Sequence, residues 1–371
     1  MSETGLWRDP VITSPVSDVD AVVLVGGKGT RLRPLTLSAP KPMLPTAGVP
    51  FLTHLLSRIR AAGITHVVLG TSYQAEVFSR HFGDGSALGL AMEYVIETDP
   101  LDTGGAIRNV ADHLRAPDTL IFNGDVLSGV DIGELVDTHR QAMADVTLHL
   151  VKVSDPSRFG CVPTEADGTV TAFLEKAEDP PTNQINAGCY VFRREVVAAI
   201  PTGRRVSVER ETFPGLLDSG ARVHGYVDSS YWLDLGTPEA FVRGSSDLVR
   251  GVAPSRALPG AAGKAIVLPG AEVARGALIT GGSTVGSGCR VGADVRLDGA
   301  VLFDGAVVAD GAVIERSVIG AGARIGAGTV VRHAVIGDGA VVGARCELLD
   351  GVRLWPGVAL PDGALRFSTD A

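Results

Sequence analysis

A six-residue spacing of aliphatic side chains runs through the C-terminal part of the chain and limits its fold more than any other feature. The spacing slips twice, and glycine follows several of the aliphatic residues. Repeats of this kind wind a parallel β-helix in which the sixth-position side chain points inward and small residues form the corners. We therefore predict a left-handed parallel β-helix over residues 264–371. The positions expected to point inward are Val267, Val273, Ile279, Val285, Val291 and Leu297, then Val301, Val307, Val313, Ile319, Ile325 and Val331, then Ile336, Val342 and Leu348.

The chain before the repeat alternates short apolar runs with helix-like segments. This alternation is typical of a Rossmann-like α/β domain, in which helices cover a mostly parallel, mixed sheet and ligands bind at the carboxyl ends of the strands. We predict a loose N-terminal tail (1–19), the α/β domain (20–250) and a linker rich in Gly, Pro and Ala (251–263) before the β-helix. The predicted strands are 21–25, 67–69, 92–96, 119–122 and 146–151, and the predicted helices are 51–62, 105–114 and 132–142.

Composition excludes several classes of partner. The formal net charge of −9 and the absence of a Lys/Arg cluster argue against nucleic acid, whose phosphates require a basic face. Cys161, Cys189, Cys289 and Cys346 form no C-x-x-C pair, which argues against a zinc site and for reduced thiols in the cytoplasm. The chain also lacks the pattern of a signal peptide and any apolar run long enough to cross a bilayer. We expect a cytoplasmic protein with no membrane partner.

A glycine-rich run follows the first predicted strand directly and reads Leu24-Val25-Gly26-Gly27-Lys28-Gly29-Thr30-Arg31. Glycine lacks a Cβ, so the backbone N–H groups can close on a triphosphate, and Arg31 can add a forked, permanently charged clamp. Lys41 lies a short distance beyond, between two prolines. A P-loop is disfavoured, because that motif places Gly-Lys before Ser or Thr. The run therefore predicts a nucleotide-binding turn of another kind.

The stretch from Gly26 to Thr36, followed by Lys-Pro at 41–42, resembles the signature of the NDP-sugar pyrophosphorylases, a nucleotidyltransferase family. The similarity spans about Asp20 to Leu248, and the appended β-helix resembles that of mannose-1-phosphate guanylyltransferases, particularly actinobacterial ones. The resemblance implies Mg²⁺ as cofactor, GTP and mannose 1-phosphate as substrates, and GDP-mannose and pyrophosphate as products. Glucose 1-phosphate with GTP, dTTP or UTP stays open as an alternative, as does a non-catalytic regulatory subunit that binds nucleotide sugars.

The resemblance assigns catalytic roles to Arg31, Lys41, Asp125 and Asp234, and these four residues argue against the non-catalytic alternative. Asp125 follows the predicted strand 119–122, which places its carboxylate at the ligand edge of the sheet. By resemblance, Asp125 and Asp234 are the metal ligands. Two oxygen ligands near a triphosphate suit Mg²⁺, which completes its octahedron with water and phosphate oxygens.

Glu97 follows the predicted strand 92–96, where family members carry the residue that reads the base. A carboxylate only accepts hydrogen bonds, and guanine offers two adjacent donors, N1–H and the N2 amino group. Glu97 therefore favours GTP over thymine and uracil nucleotides. At Asp102 the chain departs from the family, whose members commonly have glycine there. The predicted nucleotide-binding residues are Leu24, Gly26, Gly27, Gly29, Thr30, Arg31, Glu97, Gly104 and Asn123.

The resemblance also assigns the sugar phosphate to a second set of residues. Lys176 would contact its phosphate, Glu175 and Asn186 its hydroxyl groups, and Gly160 would allow close backbone approach. Acyl transfer by the β-helix is disfavoured, because His333 is the only histidine of that region. We expect the β-helix to mediate homo-oligomerisation instead, since the exposed ends and faces of a solenoid need covering.

Overall fold

The computed structural model describes residues 16, 18–72, 74–176 and 179–367. Most of the predicted tail therefore lies outside the described residues. Val16 is buried and its N–H donates to Ala62 O at 2.9 Å, and the first strand begins at Val19. Among the helices of the described residues, none is both long enough and apolar enough to cross a membrane.

The first half contains one large mixed sheet. Its strand order is β10-β9-β11-β6-β1-β4-β5, and β8 and β12 extend it from β11. The central strands β6, β1, β4 and β5 are parallel, whereas β11 pairs antiparallel with β6 and β8. The strands are β1 Val19–Leu24, β2 Pro45–Thr46, β3 Val49–Pro50, β4 His66–Thr71, β5 Ala91–Ile96, β6 Asp118–Asn123, β7 Val126–Ser128, β8 Val146–Lys152, β9 Gly160–Cys161, β10 Leu174–Glu175, β11 Gln184–Arg193, β12 Val223–Asp228 and β13 Trp232–Asp234.

Helices cover both faces of this sheet through two apolar clusters, one around α1 and α4 and one around α3, α5 and α6. All five predicted strands and the predicted helices 51–62 and 132–142 are confirmed to within two residues at each end. The helix predicted at 105–114 begins three residues earlier and is followed by the 3₁₀ turn Ala111–His113. The helices are α1 Phe51–Ala61, α2 Ala75–Phe82, α3 Asp102–Asn109, α4 Ile132–Gln141, α5 Arg194–Ala199, α6 Phe213–Asp218 and α7 Pro238–Val249, with a π-helical turn at Val208–Thr212.

The C-terminal part, from Ala265 to Phe367, is a left-handed β-helix built from three parallel sheets of six strands each. This confirms the predicted fold class. The first sheet comprises Ala265–Val267, Ser283–Val285, Val301–Leu302, Val318–Ile319, Val335–Ile336 and Arg353–Leu354. The second sheet comprises Glu272–Val273, Arg290–Val291, Val307–Val308, Arg324–Ile325, Val341–Val342 and Ala359–Leu360. The third sheet comprises Leu278–Thr280, Arg296–Asp298, Val313–Glu315, Val330–Arg332, Glu347–Leu349 and Leu365–Phe367.

One coil of the β-helix was predicted one residue out of register. The three predicted positions that do not point inward are Val301, Val307 and Val313. The inward side chains of that coil are Leu302, Val308 and Ile314. In the middle coils strands pair with partners 17 residues later, as in Val285 with Leu302, so two sides take six residues and the third takes five. The first and last pairings span 18 residues, as in Val267 with Val285. The predicted slip of four residues after Leu297 was one residue too short, which put the next three inward positions out of register.

The predicted positions of the first coil are correct, but two of their side chains are exposed. Val267 and Val273 pair in register with inward residues of the second coil, yet they are 46% and 40% exposed. They lie at the open end of the β-helix, where no earlier coil covers them. The exposure of Val267 and Val273 therefore reflects their place at the end of the β-helix. It does not mean that their register was predicted wrongly.

The two halves share an apolar interface. Val301, Val318 and Val335 form a column on the outer face of the first sheet, and this column packs against the segment that follows the glycine-rich turn. Leu32 and Leu35 of that segment are 1% and 2% exposed. The β-helix thus supports the turn expected to bind the nucleotide.

The predicted linker also packs against the α/β domain. Ala253 is buried, and Ser255 Oγ lies 2.6 Å from Nδ1 of the α1 residue His54. Burial lowers the pKa of His54 to about 4, so the ring is neutral at pH 7. The linker segment is therefore an ordered connection that contacts α1.

Candidate active site

The candidate site lies where the parallel strands β1 and β6 end side by side. Leu24 pairs with Asn123 at this edge, and Gly124 donates its N–H to Leu24 O at 2.9 Å. A Cβ on Gly124 would lie 2.7 Å from the same backbone oxygen. Only glycine therefore lets the two loops that leave this edge run this close together.

The glycine-rich turn folds back on itself between β1 and Lys41. Gly29 has φ +55°, which glycine adopts without strain, and its carbonyl accepts a hydrogen bond from Thr36 Oγ1 at 2.9 Å. The 3₁₀ turn Thr30–Leu32 follows directly. A Cβ on Gly236 would lie 2.8 Å from a terminal nitrogen of Arg31, so the guanidinium packs closely against that glycine. The turn thereby brings Arg31 beside the β13 end.

These loops enclose a pocket of about 380 Å³, a size typical of small-molecule sites. Nine predicted site residues line it: Leu24, Gly26, Gly27, Gly29, Thr30, Arg31, Lys41, Asn123 and Asp125. Sequence reasoning missed the six further lining residues, which are Val25, Leu32, Pro42, Thr103, Gly124 and Gly236. Their neighbours in sequence were singled out in each case, so the motifs were recognised but the individual contacts were not.

Lys41 brings the two predicted metal ligands together. Its Nζ lies 3.0 Å from Asp125 Oδ2 and 3.5 Å from Asp234 Oδ1, and its side chain is only 10% exposed. The short antiparallel pair β7 and β13 fixes this arrangement, because Asp125 directly precedes β7 and Asp234 ends β13 opposite Val126. Residues distant in the sequence thus meet at the pocket. Lys41 and Asp125 line it, and Asp234 contacts Lys41 from outside the lining.

The two carboxylates are suited to hold a divalent metal together with a bound nucleotide. Among the described residues no group of three or more His, Cys, Asp or Glu side chains could hold a metal ion. The described residues therefore provide no closed metal site of their own, but they place two oxygen donors beside the pocket. Mg²⁺ in nucleotide sites commonly takes one or two carboxylates plus phosphate oxygens and water. Asp125 and Asp234 fit that donor set.

Glu97 lies beyond the end of β5, at the same edge of the sheet but outside the lining of the pocket. Its Oε2 accepts the N–H of Leu101 at 3.4 Å. Burial raises the pKa of the Glu97 carboxyl, and the nearby Asp102 charge raises it further, while the Leu101 hydrogen bond lowers it. The side chain is thus partly desolvated, as a group that reads a base needs to be.

The backbone at the start of α3 favours glycine at position 102, where this chain has aspartate. This residue has φ +58°, a left-handed conformation that glycine adopts with less strain than aspartate. Gly104 is buried, and its N–H donates to Val206 O at 2.8 Å. A Cβ on Gly104 would lie 2.9 Å from the Val206 side chain, so this glycine allows close packing of α3. The neighbouring Thr103 lines the pocket.

The predicted sugar-phosphate residues meet the nucleotide pocket through a bulge in β11. Asn186 precedes the bulge, and its Oδ1 accepts the N–H of Gly188 at 3.0 Å. A Cβ on Gly188 would lie 2.8 Å from Asn123 Nδ2, so the bulge touches a residue that lines the pocket. Asn186 Nδ2 donates to the hydroxyl of Tyr190 at 2.8 Å. Burial raises the pKa of Tyr190 well above its ordinary value, so this hydroxyl stays neutral.

Gly160, Glu175 and Lys176 lie together on the adjoining strands β9 and β10. Glu175 pairs with Gly160, and a Cβ on Gly160 would lie 3.0 Å from Glu175 Oε2. Lys176 Nζ is 3.7 Å from Glu175 Oε1, and the Lys176 side chain is 60% exposed. Trp232 connects this region to β13, because its Nε1 donates to Ala187 O at 2.9 Å. Sequence reasoning gave no role to Trp232.

Similarity to known proteins covers both halves of the chain. Residues 20–251 match the nucleotidyl transferase family, and residues 261–366 match the GMPPB C-terminal domain. A mannose-1-phosphate guanylyltransferase from Mycobacterium tuberculosis is 67% identical over 353 residues, which cover 95% of this chain and 98% of that protein. The catalytic subunit beta of mannose-1-phosphate guanylyltransferase from Danio rerio is 34% identical over 265 residues, which cover 69% of this chain and 73% of that subunit.

A solved structure resembles the first half. HddC from Yersinia pseudotuberculosis is 28% identical, with a TM-score of 0.55 over 62% of this chain and 99% of HddC. HddC has also been solved in complex with GMP-PN. The resemblance noted in the glycine-rich run is therefore confirmed over both halves. Because the family match spans more than half of the sequence, this chain belongs to the nucleotidyl transferase family.

Proposed function

We propose that the protein is a mannose-1-phosphate guanylyltransferase, which converts GTP and mannose 1-phosphate into GDP-mannose and pyrophosphate. The reaction class rests on one observation, the contact of Lys41 Nζ with both Asp125 and Asp234 beside the glycine-rich turn. The choice of substrates is supported by the M. tuberculosis relative, which aligns with almost the whole chain.

The proposed mechanism is a direct in-line displacement at the α-phosphorus of GTP. A phosphate oxygen of mannose 1-phosphate forms the new P–O bond, and the bond to the leaving pyrophosphate breaks. The nucleophile is already an anion, so no general base is required. Lys41 and Arg31 would hold the phosphates in line and offset their charge from the pocket wall. Mg²⁺, held by Asp125 and Asp234, would supply further charge neutralisation at the phosphates.

Guanine selection is assigned to Glu97. Its carboxylate would accept hydrogen bonds from N1–H and the N2 amino group, and its partial burial strengthens such bonds. Inosine triphosphate tests this assignment, because it keeps N1–H and lacks the N2 amino group. We expect the wild type to prefer GTP over inosine triphosphate by about 10-fold in kcat/KM, and Glu97→Gln to reduce this preference. An undiminished preference in Glu97→Gln would remove Glu97 from base selection.

The sugar phosphate is assigned to the β9, β10 and β11 region that adjoins the pocket. Lys176, which is largely exposed, would reach the phosphate, whereas Glu175 and Asn186 would accept or donate at the hydroxyl groups. Gly160 would leave room for the ring. This assignment predicts that Lys176→Ala raises the KM for mannose 1-phosphate and leaves the KM for GTP unchanged.

A single assay tests the proposal as a whole. The purified protein is incubated with Mg²⁺ and each pair formed from GTP, ATP, dTTP or UTP with mannose 1-phosphate or glucose 1-phosphate, and released pyrophosphate is measured. We expect GTP with mannose 1-phosphate to give the highest kcat/KM. A higher value for glucose 1-phosphate or for another nucleotide would overturn the substrate assignment, and no release with any pair would favour a regulatory subunit.

We also propose a cytoplasmic location and a homo-oligomer formed through the β-helix. The location is supported by the four cysteines, which are all buried and unpaired. The oligomer is supported by exposed apolar side chains on the terminal coils, including Leu278 at 54% and Phe367 at 62% exposure. Light scattering of the full chain and of Leu278→Glu tests this point, and a monomeric wild type would contradict it.

A further inference from the structure

A second cavity, of about 520 Å³, lies between α7 and a corner of the β-helix. It shares no lining residue with the catalytic pocket. One wall is a single face of α7 that includes Arg243, Ser246 and Arg250, and the other wall includes Arg316 and His333. The catalytic proposal gives none of these five residues a role.

The carboxylates of this cavity are largely engaged. Asp247 accepts the hydroxyl hydrogen of Tyr231 at 2.7 Å and lies 3.5 Å from Arg243 Nε. Asp298 Oδ1 accepts from Thr280 Oγ1 at 3.2 Å. Glu239 is separated from Arg250 along the α7 face by roughly 16 Å, given 1.5 Å per residue.

Two arginines of the cavity are left without a partner of opposite charge. Arg250 and Arg316 form no ion pair with any carboxylate in the part of the chain that the structure describes. They stand on opposite walls, one at the end of α7 and one at the β-helix corner. Guanidinium groups bind phosphate through parallel, charge-assisted hydrogen bonds. Their arrangement suits an anion held between the two halves of the molecule.

Ser246 adds an independent indication of a ligand. It is only 8% exposed, and its Oγ has no hydrogen-bond partner among the described residues. Buried hydroxyl groups are normally hydrogen-bonded, because an unsatisfied one loses the hydrogen bonds that it makes with water in the unfolded chain. Ser246 lies on the α7 face between Arg243 and Arg250. Because the oxygen itself is enclosed by protein, the side chain would have to rotate toward the cavity for a phosphate oxygen to accept its hydrogen.

We propose that this cavity binds a small phosphate ester, with the phosphate between Arg250 and Arg316. The site goes beyond the proposed function and does not depend on it. Its volume exceeds what a free phosphate ion fills and is in the range of sites for small organic ligands. The ester would therefore carry an organic part the size of a sugar or a nucleoside.

The β-helix corner offers a substitution that removes charge without disturbing the backbone. Arg316 has φ +43°, and the equivalent residue of the preceding coil is Gly299, with φ +57°. Both occupy the same step of the corner, 17 residues apart, as Arg316 N donates to Asp298 O one coil earlier. Arg316→Gly therefore copies a corner that the β-helix already contains. Arg250→Ala gives a second variant, on the α7 wall.

Calorimetric titration tests the site in the full chain. GTP is present at saturation, without Mg²⁺ or sugar phosphate, so that the catalytic pocket is filled. The probes are inorganic phosphate, glycerol 3-phosphate and adenosine 5′-monophosphate. We expect an ester to bind more tightly than inorganic phosphate, and Arg316→Gly and Arg250→Ala to weaken its binding by about 10-fold each. Arg324→Ala, an exposed arginine on the second sheet outside the cavity, should bind as the wild type does.

Three outcomes would overturn the proposal. One is equal affinity for the ester in Arg316→Gly, Arg250→Ala and Arg324→Ala, which would place the binding elsewhere. Another is the absence of binding of all three probes to the wild type. The third is inorganic phosphate binding as tightly as either ester, which would leave an adventitious ion only.

Discussion

The β-helix and the catalytic edge of the sheet are held together by different kinds of contact. In the middle coils of the β-helix each inward residue stacks on another aliphatic residue 17 positions later, as Leu297 does on Ile314. At the catalytic edge Lys41 contacts carboxylates that lie 84 and 193 residues away. The repeat shares its stability over many equivalent positions, whereas the site depends on a few specific long-range contacts such as those of Lys41 with Asp125 and Asp234. Substitutions should therefore have very different effects in the two regions.

Lys41→Ala should give the largest effect. It leaves two carboxylates facing each other at the pocket and removes a cation from the phosphates, so we expect turnover to fall by about 100- to 1,000-fold. Pyrophosphate release under saturating GTP and mannose 1-phosphate measures this. The overall fold should persist, because the β-helix does not depend on this residue.

Lys28→Ala is the matched control for Lys41→Ala. Lys28 belongs to the same glycine-rich run but is exposed and does not line the pocket. Its turnover should stay within about twofold of the wild type, as for surface substitutions away from a site. Equal losses in the two variants would mean that general positive charge matters and that the position of Lys41 does not.

Gly124→Ala should give the next largest effect. The new Cβ would lie 2.7 Å from Leu24 O, and a backbone oxygen cannot move without displacing the end of β1. A shift of the β6 loop would move Asp125, so we expect turnover to fall by about 100-fold. Gly215→Ala is the control, because a Cβ there meets nothing within 4 Å. If Gly124→Ala kept normal turnover, the close approach of the two loops would not be needed.

The sequence predicted the strands of the α/β domain more accurately than the register of the β-helix. Every strand named for the sheet was found, because alternating apolar runs encode buried parallel strands locally. The slip after Leu297 was predicted as four residues, to Val301, whereas the strand pairing shows a slip of five, to Leu302. The spacing of apolar residues in the sequence thus predicts which elements form, whereas strand pairing decides which residues of the β-helix point inward.

The site shows the same division between local motif and long-range contact. Lys41 and Asp125 lie in recognisable motifs, and the structure brings them together as expected. The nucleotide-binding role of Gly104 stays a prediction, and the structure adds that its N–H donates to Val206 O, more than 100 residues away. No spacing within the motif could reveal that partner. The role of Thr103 in lining the pocket was hidden for the same reason.

Val318→Asp probes the interface where the two regions meet. Val318 is 0% exposed and packs between Val301 and Val335 against the α/β domain. An aspartate there would bury an unpaired charge or expose the interface, so the free energy of unfolding should fall by about 3 kcal/mol. Thermal unfolding measures this loss. Val341→Asp is the control, because Val341 is 42% exposed on the second sheet, and it should unfold within about a degree of the wild type.

Arg353→Ala should give the smallest effect. It separates the hydrogen bonds that the β-helix makes to the glycine-rich turn from the apolar packing at Val318. Arg353 Nη1 donates to Arg31 O at 2.7 Å and to Arg33 O at 3.1 Å, so the β-helix holds the backbone of the glycine-rich turn directly. These hydrogen bonds are exposed and worth about 1 kcal/mol, so the KM for GTP should rise about threefold to fivefold with unchanged thermal stability. Arg345→Ala removes an exposed arginine whose ion pair, to Asp362 at 3.9 Å, is remote from the turn, and its KM should not change. An unchanged KM in Arg353→Ala would mean that the apolar column at Val318 positions the turn without help, and that the repeat contributes shape to the site but no specific contact.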